Sequence, residues 1–152
     1  MRETLVLSVA IINYVLISMQ SLFKSGKMQQ AIQCYSKAAT LAVQRPSWET
    51  HQLMREELST TVSNRSAAYF DARDYVSALA DAETVIAVRR NWPKGHYRKA
   101  KALLGLARPK EAIDAVKLGL SYEPNNKVRS FMLQPLSLAD SRTGTWFFSL
   151  RD

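Results

Sequence analysis

Small and apolar residues recur along the middle of this chain at a fixed step of 34 residues. The step carries Ser66 to Ala100, Ala78 to Ala112, Ala82 to Val116, Val85 to Gly119 and Arg90 to Pro124. Matched small side chains let two helices approach closely, so the step predicts helical hairpins stacked on one another. A further copy lies upstream. Ala31, Tyr35 and Ala38 have the spacing of Ala78, Ala82 and Val85, and Gly26 falls where two helices must turn. From Ala31 to Ala78 is 47 residues, 13 more than one period, which places an insertion around residues 43–58. Pro46 breaks the helix there, because it lacks an amide hydrogen and clashes with the preceding turn. The stretches on either side keep a helical pattern and predict two lengthened helices.

The predicted helices span residues 4–24, 28–44, 53–72, 75–89, 93–106 and 109–121. A short capping helix follows over 125–133, and 134–152 forms a tail, packed back or loose. A 34-residue helix–turn–helix period is the signature of tetratricopeptide (TPR) repeats. The expected fold is an all-α TPR solenoid, with repeats near 12–44, 53–89 and 93–124 inside a domain covering 1–133. Each hairpin buries its face only against its neighbours, so the stack curves and its first helices line a concave wall. Binding residues are expected there.

Composition agrees with one globular domain: 152 residues, 47% of them apolar, with five glycines and five prolines. Cys34 is the single cysteine, which excludes an internal disulfide and fits a reducing, cytosolic setting. The formal net charge of +8 favours an acidic partner. Residues 5–19 are almost wholly apolar, but they make a poor signal peptide, since Glu3 offsets Arg2 and no small-residue cleavage site follows. As a membrane span the run is short and carries Asn13 at its middle. A terminal helix packed on the repeats is expected instead of membrane insertion.

Catalytic chemistry has little to build on. His51 and His96 lie far apart, with no cysteine or carboxylate at metal-ligand spacing. Ser25-Gly26-Lys27 lacks the rest of a phosphate-binding loop. No nucleophile elbow is present, and no cofactor is expected. Asn64-Arg65-Ser66 matches a glycosylation acceptor but sits within a predicted helix. Basic residues such as Arg89, Arg90, Lys99, Lys101, Lys127 and Arg129 scatter over helix faces with little aromatic interleaving, the pattern of a solvated surface and not of a nucleic-acid binder.

One constellation remains. Asn64 on the second repeat and Arg98 on the third stand one period apart, and so neighbour each other on the concave wall. Lys94 precedes Arg98 by one helical turn, about 5–6 Å away at Cβ. Two crowded cations repel, and the pair becomes favourable when an anion with two oxygens arrives. A peptide's terminal carboxylate is such a group, and Asn64 can orient it through its amide.

Ser63-Asn64-Arg65-Ser66-Ala67-Ala68-Tyr69 and Trp92-Pro93-Lys94-Gly95-His96-Tyr97-Arg98-Lys99-Ala100 resemble the carboxylate-clamp class of TPR co-chaperones. That class holds the Glu-Glu-Val-Asp tail of cytosolic heat-shock chaperones. Its five-member clamp is matched residue for residue by Asn64, Lys94 and Arg98. Counting back from Phe23, Leu16 stands at the clamp's first lysine and Gln20 at its first asparagine, so one positive charge is missing. The apolar run at 5–19 also differs from the charged start usual in the class, a difference that a mispredicted N-terminus would explain. The insertion, with Gln44-Arg45-Pro46-Ser47-Trp48-Glu49 and Arg55-Glu56-Glu57-Leu58-Ser59, is similar to the peripheral TPR subunit of the fungal post-translational Sec translocon.

The resemblance implies a non-catalytic adaptor for a chaperone's acidic C-terminal peptide, cytoplasmic and peripheral at the endoplasmic reticulum, with Sec translocon subunits as further partners. Its peptide-binding residues would be Asn64, Lys94, Arg98, Gln20, Lys101 and Phe23. The alternative is a general TPR scaffold with a vestigial clamp, docking through Trp48 or the Trp146-Phe147-Phe148 cluster.

Overall fold

The structure, a computed structural model, is described for residues 17–43 and 51–123. The expected cap at 125–133, the tail, Trp48, Pro46 and Leu16 lie outside the described residues. Within them the chain is helical over 17–24 (α1), then forms α2 (Met28–Val43), α3 (His51–Asp71), α4 (Tyr75–Val88), α5 (Pro93–Gly105) and α6 (Pro109–Tyr122). No strand occurs among the described residues. Successive helices pair as hairpins: α3 with α4 and α5 with α6, and α1 with α2 through Met19, Leu22 and Phe23 against Ala31, Ile32 and Tyr35. The hairpins then stack, α2 on α3 and α4 on α5, while α3 also reaches α5.

The 34-residue step is visible in the packing. Ser66, Ala68, Ala78, Ala82 and Val85 are buried, and so are their counterparts Ala100, Ala102, Ala112, Val116 and Gly119. Ala31, Tyr35 and Ala38 are buried in the first hairpin with Met19 and Ile32. At α5 the fit is closer still. A Cβ on Gly105 would lie 2.5 Å from the Tyr75 ring, and one on Gly95 would lie 2.9 Å from a Val85 methyl. Pro93 and Pro109 open α5 and α6, where a missing amide hydrogen costs no helical bond.

The turns repeat as well. Gly26, Arg73 and Ala107 all have left-handed backbone, with φ of 75°, 62° and 56°. Each ends its helix with the same pair of bonds. The amides of Gly26, Arg73 and Ala107 donate to Phe23, Phe70 and Leu104, and the next amides donate to Leu22, Tyr69 and Leu103. This is the Schellman cap, in which glycine is favoured because a Cβ is strained there. Ala107→Gly is therefore expected to stabilise the chain by about 1 kcal/mol despite the added freedom of the unfolded state. A higher urea midpoint at unchanged slope checks it.

A polar tie crosses the middle of the stack. Arg65 of α3 donates to both carboxylate oxygens of Asp81 on α4, at 2.8 and 2.7 Å, and to the Ser36 hydroxyl of α2 at 3.1 Å. Ser66 adds a bond from its hydroxyl to the Ala78 carbonyl, 2.8 Å away. The lengthened α3, at 21 residues against 13 for its counterpart α5, accommodates most of the insertion.

Candidate functional site

The three first helices converge on a cavity of about 470 Å³. From α1 it is lined by Gln20, Phe23 and Lys24, from α3 by Asn64, Ala67, Phe70 and Asp71, and from α5 by Tyr97, Arg98 and Lys101. Tyr35 reaches it from α2. The helical hairpins place these side chains together: Asn64 and Arg98 are related by the repeat step, as are Ala67 and Lys101.

Arg98 sits at the centre of the electrostatics. Its Nε is buried and makes no hydrogen bond, and its guanidinium carbon lies 5.9 Å from the centre of the Tyr97 ring. Burial pushes its pKa down, offset in part by Tyr97, Asp71 and Tyr35. Lys101 is pushed down by burial and then by Arg98, with Asp71 acting against both. Its ammonium lies over Phe70 at 4.4 Å, and 6.0 Å from Tyr97. Burial also lowers Lys94, with Arg98 adding to the effect. Around them the phenols of Tyr35 and Tyr97 are raised by burial, and Arg98 opposes that rise.

Three other cations of the described residues have carboxylate partners. Arg65 pairs with Asp81, Lys99 with Glu83 at 3.1 Å, and Arg108 with Glu111 at 2.6 Å. Lys94, Arg98 and Lys101 make no ion pair with any described carboxylate. A desolvated cluster of like charge with an unmade hydrogen bond is costly to the fold by itself. It becomes favourable once a carboxylate enters.

Of the residues expected at the site, Asn64, Arg98, Gln20, Lys101 and Phe23 line this one cavity. Lys94 does not. Its ammonium lies 5.5 Å from the Trp92 ring, which also carries the Arg89 guanidinium at 4.7 Å. Lys24, Tyr35, Phe70, Asp71 and Tyr97 also line the cavity and are missing from the sequence-based set. Lys24 was within reach of sequence reasoning, since it follows Gln20 by one turn on the same helix face. His96 has a packing role: it is buried, its Nε2 lies 2.8 Å from the Arg90 carbonyl oxygen, and its ring stacks on Tyr122. Among the described residues no three metal-capable side chains converge, and no helix is long and apolar enough to cross a membrane.

No protein-family model matches the chain. The ER protein translocation subcomplex subunit sec67 of Schizosaccharomyces pombe is 42% identical over 98 residues, covering 64% of this chain and 51% of that protein. The chain thus spans about half the length of this relative. The first TPR domain of human RPAP3 superposes with a TM-score of 0.67 at 25% identity, over 84% of this chain and 91% of that one. The first TPR of Spaghetti (RPAP3), solved with the HSP90 peptide SRMEEVD, gives 0.66 at 25% identity over the same shares. The fold is that of a TPR domain.

Proposed function

We propose that this chain, a TPR domain of the co-chaperone type, is a non-catalytic adaptor that holds the acidic C-terminal peptide of a cytosolic heat-shock chaperone. The observation that carries the reading is the state of Arg98. A guanidinium with a buried, unpartnered Nε faces a groove that also holds the amides of Asn64 and Gln20 and the ammonium of Lys101. A chain-terminal carboxylate supplies two oxygens for those donors and adds negative charge to a cluster that Asp71 offsets only in part. The RPAP3 domain bound to an HSP90 tail supports the choice of ligand. The likeness to sec67 supports a place at the cytosolic face of the endoplasmic reticulum, with Sec translocon subunits as further partners.

Titration of the chain with the fluorescently labelled heptapeptide Ser-Arg-Met-Glu-Glu-Val-Asp tests this reading. A Kd on the order of micromolar is expected, since a short peptide makes few contacts and must be ordered on binding. The same peptide amidated at its C-terminus should bind about tenfold more weakly or worse, having lost the charge-assisted bonds. Equal affinity for the two forms would remove the terminal carboxylate from the site.

A further inference from the structure

The cavity and the clamp pattern do not coincide. The three clamp positions matched in sequence are Asn64, Lys94 and Arg98, yet Lys94 is absent from the cavity lining and rests over Trp92. Lys94 occupies the second position of α5, whereas Lys101 lies seven residues further on, about 10 Å along the helix axis. Lys101 is held over Phe70, itself part of the cavity wall. In the sequence a leucine, Leu16, stands where the clamp pattern has its first lysine, and α1 brings Lys24 to the cavity from its C-terminal end. The cavity's cations are therefore Lys24, Arg98 and Lys101.

We propose that the acidic peptide end is gripped in a shifted register, by Lys24 and Lys101 on facing helices with Arg98 between them, while Lys94 stays aside on Trp92. Asp71 lines the same cavity and is exposed, so it opposes any carboxylate placed still further along. Its charge also competes with the ligand for Lys101. The shift accounts for a clamp sequence whose first lysine is a leucine: the missing charge is supplied by Lys24 of α1. This proposal rests on the reading of function above and deepens it.

The chain and its single variants, titrated with the heptapeptide Ser-Arg-Met-Glu-Glu-Val-Asp, test the register. Lys24→Gln and Lys101→Gln should each raise Kd about tenfold, the loss of one charge-assisted contact. Lys94→Gln should change it by less than about threefold, and Asp71→Asn should lower it up to about fivefold, as for an exposed charge. Circular dichroism melting of each variant separates binding loss from unfolding. A tenfold loss in Lys94→Gln with Lys24→Gln and Lys101→Gln near the parent would overturn the shifted register and leave the functional reading standing. Failure of the parent chain itself to bind would remove both.

Discussion

Arg65→Met is expected to destabilise the chain by about 3–5 kcal/mol, the cost of removing one partner from a buried ion pair. Asp81 is nearly sequestered, with 9% of its side-chain surface exposed against 22% for Arg65. The bidentate contact supplies hydrogen bonds to both carboxylate oxygens, and its bond to Asp81 is the main reason the Arg65 pKa is raised. Without the guanidinium the carboxylate would stay buried and charged, or take up a proton. Either outcome costs several kcal/mol out of a typical total of about 5–15. In urea the midpoint should fall by about 2 M. Arg65→Met combined with Asp81→Leu should recover most of the loss, because a hydrophobic pair of similar volume avoids the desolvation penalty. A double variant no more stable than Arg65→Met would show that the tie to Ser36 of α2, not the ion pair, holds the three helices together.

This prediction concerns a residue whose role was not legible in the sequence. Arg65 lies beside Asn64, inside the motif that carries the family resemblance, and reading along the chain gives it no separate function. Asp81 stands 16 residues away; helical periodicity puts it on the face of Ala78, Ala82 and Val85, but nothing in the spacing names Arg65 as its partner. The repeat step, by contrast, was legible because small residues at close helix contacts leave a strict signature. Ser66/Ala100, Ala78/Ala112 and Val85/Gly119 are small or apolar in sequence and buried in the fold. The predicted helices from 28 to 121 match α2 to α6 to within two residues at each end.

The concave wall was legible only in part, for a geometric reason. Register along one helix follows from spacing, so Arg98 and Asn64 could be placed beside each other. Where a long side chain settles does not follow from spacing. Lys94 and Lys101 flank Arg98 at four and three residues, and a neighbouring ring draws each away from bulk water, Trp92 for one and Phe70 for the other. Only one of those rings faces the cavity. The buried face of α3 was faint for another reason. It is built largely of Ser59, Thr61, Ser63 and Ser66, polar side chains that do not read as apolar; the hydroxyls of Ser59 and Ser66 donate to the carbonyls of Glu56 and Ala78.

Arg98→Met should separate stability from binding, moving the two in opposite directions. In the unfolded chain the guanidinium is fully hydrated. In the fold it is desolvated, its Nε hydrogen bond is unmade, and no described carboxylate pairs with it. An unsatisfied buried donor costs about 1–3 kcal/mol, and the lowered pKa of Arg98 has burial as its first cause. Methionine keeps much of the length and packing of the side chain without the charge. We therefore expect the variant to gain about 1 kcal/mol of stability, a rise in Tm of about 3 °C for a chain of this size. It also relieves the repulsion that lowers Lys94 and Lys101. Affinity for a carboxylate-terminated peptide should fall by about 10- to 100-fold, the loss of one or two charge-assisted hydrogen bonds. Scanning calorimetry and peptide titration on the same preparation read both quantities. A variant that melts lower and binds unchanged would make Arg98 a structural residue. A higher melting temperature with weaker binding would show that the groove keeps a destabilising cation because its ligand needs one.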